Sequence, residues 1–266
     1  MNTLSRYSLD APIVAVVWLG LFEKFTSVTL ESHHYIILFL ATWLAYCADR
    51  IFDGFRIADK QASDRHLFYA EHSKPLSILW VITLVVTLII SFSTLSASTL
   101  FSGFLLTAMI ALYFSFIHLY PGRKVVHLHK ECSVALIFSL GVTLFIWMNN
   151  PAEALEMAFM QAIFTFICLI NLLFISAWDA EMDARQQTIA IYANRRLYRN
   201  LFTVSIMIAV AGIILGIIFL QAYMLVLSFA LSLSILLLLA KMTKLSNETK
   251  RSLADMSLML PVIFLF

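Results

Sequence analysis

The chain has 266 residues, of which 61% are hydrophobic and 13% charged, against about 45–50% and 25% in an ordinary soluble domain. A formal net charge of +2, with no basic run interleaved with aromatics, excludes the electrostatic footprint of a nucleic-acid binder. Phe is abundant at 22 copies while Gly and Pro number 7 and 5, a composition that does not fit the alternating segments of a transmembrane β-barrel.

In chain order, the apolar residues fall in nine blocks at 11–29, 34–52, 77–96, 98–118, 131–149, 154–177, 201–220, 222–241 and 252–266. Most are close to the roughly 20 residues that a helix needs to cross the hydrocarbon of a bilayer. Helices are then the remaining way to satisfy the backbone in lipid. The expected fold is an all-α integral membrane protein, a single transmembrane domain over 1–266 built as a bundle of about nine helices. The first block is interrupted by Glu23 and Lys24, and the last is short and contains Pro261. Arg6 and Asp10 precede the first block with no small-residue cleavage site after it, so an uncleaved first span is expected. Cys47, Cys132 and Cys168 lie in or beside apolar blocks without metal-type spacing and read as small core residues.

The polar connections decide the orientation. With a cytoplasmic N-terminus, 17 of the 18 Lys and Arg residues fall on the inside and only Lys24 lies outside, which is the asymmetry of an inserted multi-pass protein. A plasma (inner) membrane location with a cytoplasmic N-terminus is expected. The inside connections are the long polar ones, so function is expected on that face.

Two acidic pairs stand there. The first is in Tyr46-Cys47-Ala48-Asp49-Arg50-Ile51-Phe52-Asp53-Gly54-Phe55-Arg56, and the second in Ser176-Ala177-Trp178-Asp179-Ala180-Glu181-Met182-Asp183-Ala184-Arg185. Residues four apart share a helix face, so each pair presents two carboxylates in one direction. Like charges at the edge of a hydrocarbon slab resist desolvation and repel each other, and a cation offsets both. Read singly, each pair is an ordinary solvated helix end; two pairs after different spans on the same face favour a site. Oxygen ligands suit Mg²⁺, which takes one or two carboxylates and shares its remaining coordination with substrate phosphates. A diphosphate bridged through Mg²⁺ is the natural ligand. Arg123, Lys124 and Lys130 in the next inside connection, with Lys74 and Arg56, are candidates for its remaining charge. His33-His34 and His127-x-His129 put no two rings on one helix face and are assigned no role.

With these residues in place, the chain resembles the UbiA-type intramembrane prenyltransferase family. Asp49 and Asp53 match the last two aspartates of that family's motif after its second helix, and Asp179 and Asp183 match its Asp-x-x-x-Asp motif after the sixth. Lys74-Pro75-Leu76 is similar to a basic-Pro-Leu element before helix 3, and Tyr120-Pro121-Gly122-Arg123-Lys124 to a Tyr-Pro-plus-basic element after helix 4. Ala45 and Tyr46 stand where the family carries its leading Asn and first Asp, and Ala184-Arg185-Gln186-Gln187-Thr188 replaces the Gly and Lys-Ser/Thr that often follow the second motif. The resemblance implies a nine-helix bundle. It also implies Mg²⁺-dependent transfer of a prenyl group from a prenyl diphosphate to an aromatic or other lipid-soluble acceptor, with Asp49, Asp53, Asp179 and Asp183 as metal-binding and catalytic residues. Membrane lipid is the surrounding partner. A catalytically degenerate polyprenyl (di)phosphate or lipid binder on the same scaffold is the alternative. A transporter ranks below both, because it wants ionisable groups near the midplane, whereas here the charges lie at span ends.

Overall fold

The computed structural model describes residues 3–56, 64–119, 124–149, 154–185, 195–220, 223–242 and 245–266. Among these residues every regular element is helical and there is no strand. The elements are α1 (Thr3–Arg6), α2 (Asp10–Thr26), α3 (Ser32–Arg56), α4 (Asp64–Glu71), α5 (Ser73–Thr94), α6 (Ala97–Leu119), α7 (Lys124–Asn149), α8 (Ala154–Arg185), α9 (Arg195–Leu215), α10 (Tyr223–Lys241) and α11 (Asn247–Met259). A π-helical turn at Gly216–Leu220 extends α9, and a 3₁₀ turn at Leu260–Phe264 extends α11.

Each of the nine apolar blocks coincides with a helix. Seven of them, α3 and α5 to α10, are long and apolar enough to cross a bilayer, which points to a multi-pass membrane protein. The first and last blocks do not meet that requirement. α2 has only 17 residues, and α11 carries Glu248, Lys250, Arg251 and Asp255 within 13 residues.

Local chemistry sets several boundaries. Ser96 Oγ accepts the Thr99 amide at 3.3 Å, so the tight turn after α5 supplies a cap for α6. Ser246 does the same for α11, accepting from the Thr249 amide at 3.2 Å. α2 stops at Ser27, whose left-handed φ of 53° cannot continue a right-handed helix.

The interruption at Glu23 and Lys24 has a structural explanation. Glu23 accepts the Leu30 amide at 2.7 Å and the Tyr35 hydroxyl, while Lys24 Nζ donates to the carbonyls of Phe264 and Leu265 at 3.1 and 3.3 Å. The two charges thus tie the end of α2 to α3 and to the C-terminal turn.

The short α2 is the centre of the bundle, packing against α3, α7, α10, α11 and the 3₁₀ turn. Trp18 is fully buried, stacks on Phe229 of α10 at 5.1 Å and lies 4.5 Å from Phe164 of α8. Its Nε1 donates to the Leu258 carbonyl of α11 at 2.9 Å. α5 and α6 lie outermost and expose Ile78, Ile82, Ile89, Phe101, Leu112 and Phe116. Such a continuous apolar surface is the reverse of what water tolerates.

Gly212 lets α9 approach α8. A Cβ there would sit 2.6 Å from Ile163 Cγ1, and a β-branched neighbour has little freedom to yield. Gly212→Ala is expected to cost about 1–3 kcal/mol, read as a lower melting temperature of the detergent-purified protein. Gly103→Ala, which meets nothing within 4 Å inside α6, is expected to hold or slightly raise that temperature, since Ala is favoured over Gly in a helix interior by about 1 kcal/mol.

Candidate functional site

α3 turns one face to the protein interior through Trp43, Leu44, Cys47, Arg50 and Ile51, all buried. Leu44, Cys47 and Ile51 pack with Tyr69 of α4 and Leu76 of α5, and Trp80 Nε1 of α5 donates to the Leu44 carbonyl at 2.8 Å. The adjacent face carries Tyr46, whose ring meets Phe138 of α7 edge-on at 6.4 Å. Tyr46 is within electrostatic reach of Asp10 on α2, Cys168 on α8 and Asp255 on α11. Asp49 is half-buried and follows Tyr46 by three residues, so it continues that face toward the end of α3.

Asp53 and Arg56 lie on the last turn of α3, and Asp179 and Asp183 on the last turns of α8; their side chains are outside the described residues. Arg123 is outside them altogether, and so is the side chain of Lys124, the first residue of α7. Lys74 is exposed on the first turn of α5, and Lys130 is exposed on α7.

The helix ends that carry the two pairs are at one end of the bundle. Arg50 near the end of α3 bonds to residues just before α2. The segment leading into α2 and its first residue share a small cavity with Ser252, Asp255, Met256 and Met259 of α11. Asn247, the first residue of α11, donates its Nδ2 to the Trp178 carbonyl near the end of α8 at 2.8 Å, and Lys250 sits 6.0 Å from the Trp178 ring. His33 and His34 belong to the opposite end, His33 paired with Glu31 at 3.3 Å and His34 against Phe145 at 4.7 Å. Cys47 and Cys168 are buried free thiols and Cys132 is half-buried. Among the described residues no group of three or more His, Cys, Asp or Glu is arranged to hold a metal ion.

Sequence reasoning missed a set of buried polar residues at this end. Arg50, only 7% exposed, donates to the Ser5 carbonyl at 2.6 Å and to Ser8 Oγ at 2.7 Å. It also pairs with Asp10, itself 5% exposed, at 3.7 Å. Ser8 shares a 2.6 Å hydrogen bond with the Tyr69 hydroxyl and holds a left-handed φ of 57°. Burial raises the Tyr69 phenol, and the Ser8 hydrogen bond opposes that shift. On α11, Arg251 and Asp255 are half-buried at the same end. Asp255 accepts from Asn171 Nδ2 of α8 at 3.3 Å. One signal was available in the sequence: Asp10, Asn171 and Asp255 are polar residues in or beside apolar blocks, where they need partners.

No family model, curated protein or solved structure matches this chain.

Proposed function

We propose that the chain is a Mg²⁺-dependent intramembrane prenyltransferase of the UbiA type, with nine membrane spans, a cytoplasmic N-terminus and its site at the cytoplasmic side of a plasma (inner) membrane. In this reading α2 and α11 with its 3₁₀ turn are the first and ninth spans, and α2 is short where it lies largely buried among other helices. The observation that carries the reading is that both Asp-x-x-x-Asp helix ends, those of α3 and α8, belong to the same end of the bundle.

The donor set fits a hard cation. The pairs offer carboxylate oxygens, while the cysteines are buried or half-buried and His33 and His34 are at the opposite end. Asp49 and Asp53 on α3, with Asp179 and Asp183 on α8, would hold Mg²⁺, which supplies charge neutralisation to a bound diphosphate. Arg56, Lys74, Arg123, Lys124 and Lys130 add positive charge for the phosphate oxygens. As the allylic C–O bond of a prenyl diphosphate breaks, the diphosphate leaves with the bonding electrons. Cations already in position stabilise that growing charge more than they stabilise the ground state. The allylic cation is captured by an electron-rich carbon of the lipid-soluble acceptor, which then loses a proton.

A second reading is a catalytically degenerate binder of polyprenyl (di)phosphate, favoured by Tyr46, which packs against Phe138 at the position of the family's first motif aspartate. One assay separates them. Purified full-length protein in detergent is incubated with Mg²⁺, labelled prenyl diphosphates of several lengths and a membrane lipid extract. The transferase reading expects a prenylated product and diphosphate release, both lost on chelation. Tight binding of labelled diphosphate with no release at any chain length overturns catalysis in favour of the binder.

A further inference from the structure

We infer that Arg50 is a positioning residue that sets the direction in which the Asp49/Asp53 face of α3 points, an inference that rests on the metal-binding reading above. Successive residues of a helix are about 100° apart. Asp49, one residue before Arg50, and Asp53, three after it, therefore both lie on one side of it, about 60–100° around the helix. Whatever holds Arg50 thus holds the azimuth of the pair.

Arg50 is held from several directions. Its guanidinium meets the Ser5 carbonyl, Ser8 Oγ and the Asp10 carboxylate, all from the segment that leads into α2. That segment is itself fastened to α3 and α4. Trp43 Nε1 donates to the Tyr7 carbonyl at 2.9 Å, and Ser8 bonds to Tyr69. Tyr7 packs edge-on against Phe68 at 5.4 Å, and Arg6 lies 5.2 Å from the same ring.

The network continues toward the second pair. Ser5 and Asp10 line a cavity of about 10 Å³ together with Ser252 and Asp255 of α11, close to the smallest space that holds one water. Asp255 receives the Asn171 amide of α8. A polar path therefore runs from α3 through the start of α2 and α11 to α8, the helix that ends in Asp179 and Asp183. Buried ionised side chains that reach this many backbone and hydroxyl groups restrict rotation and sliding of a helix far more than apolar contacts do.

The test measures Mn²⁺ affinity by electron paramagnetic resonance on full-length protein in detergent, beside its melting temperature. Arg50→Gln is expected to weaken Mn²⁺ binding about 10- to 100-fold, the range for residues that orient metal ligands, and Arg50→Lys to recover part of that loss. Phe229→Leu, a packing change in the middle of the bundle, is the stability control and is expected to lower the melting temperature while leaving affinity within about twofold, since it touches no orienting group. Arg50→Gln/Asp10→Asn removes both partners and keeps the measurement possible if a lone buried carboxylate prevents folding. Unchanged Mn²⁺ affinity in folded Arg50→Gln or in the double variant overturns the inference and leaves the metal site standing, as does an equal loss in Phe229→Leu. A wild-type protein with no saturable Mn²⁺ site overturns the metal reading and the inference together.

Discussion

Asp49→Ala and Asp183→Ala are each expected to reduce Mg²⁺-dependent diphosphate release by at least about 10²–10³-fold, the scale on which removal of a single transition-state charge stabiliser acts. Each substitution takes one carboxylate from a pair and leaves only three of the four proposed ligands to hold the cation against the diphosphate. Asp49 is the sharper of the two tests. It is half-buried on the Tyr46 face of α3. Glu181→Ala is the control. Two residues from both Asp179 and Asp183, position 181 falls on the other side of α8, so its loss changes local charge without touching the pair. Release of labelled diphosphate over a Mg²⁺ titration reads all three variants. Full activity in either aspartate variant removes the mechanism, and an equal loss in Glu181→Ala reduces the pairs to general surface charge.

The second large effect is expected at Trp18. Trp18→Ala removes a fully buried indole that contacts Phe229 and Phe164 and donates to the Leu258 carbonyl. Large-to-small changes of this kind cost about 3–5 kcal/mol through lost contacts and the cavity left behind. Inside a bilayer the relevant loss is packing rather than transfer from water, because lipid tails are as apolar as the core. The void therefore weighs most. Trp18→Phe keeps much of the ring packing and gives up the hydrogen bond, a loss of about 1 kcal/mol. Unfolding titrations in mixed micelles order the three proteins as wild type, Phe, Ala. An alanine variant as stable as wild type would show that α2 is not the axis on which α8, α10 and α11 are assembled.

The two sets of residues differ in how readily the sequence revealed them. The acidic pairs were readable because their signal is local. Four-residue spacing puts two carboxylates on one helix face, and the flanking apolar blocks place them at span ends. That the two pairs belong to one end of the bundle was also readable, from the distribution of 18 Lys and Arg residues, because membrane orientation sorts those residues along the chain. The Arg50 network was not. Arg50 counted only as one more positive residue at a span end, since nothing in its neighbourhood announces partners 40 to 45 residues earlier at Ser5, Ser8 and Asp10. Asp255 and Asn171 are 84 residues apart and share no periodicity.

By itself, then, the sequence determined the helical class, the positions of all nine helical blocks and the two acidic pairs, because helix hydrogen bonds and hydropathy are properties of contiguous residues. It could not rank the helices. Only the tertiary structure made the short α2, which Glu23 and Lys24 interrupt, the central element. Its charges meet the Leu30 amide, the Tyr35 hydroxyl and the C-terminal carbonyls, leaving Trp18 to organise the interior. Only the tertiary structure turned Arg50 inward, because a charge at a helix end is buried or solvated according to which distant groups are folded against it.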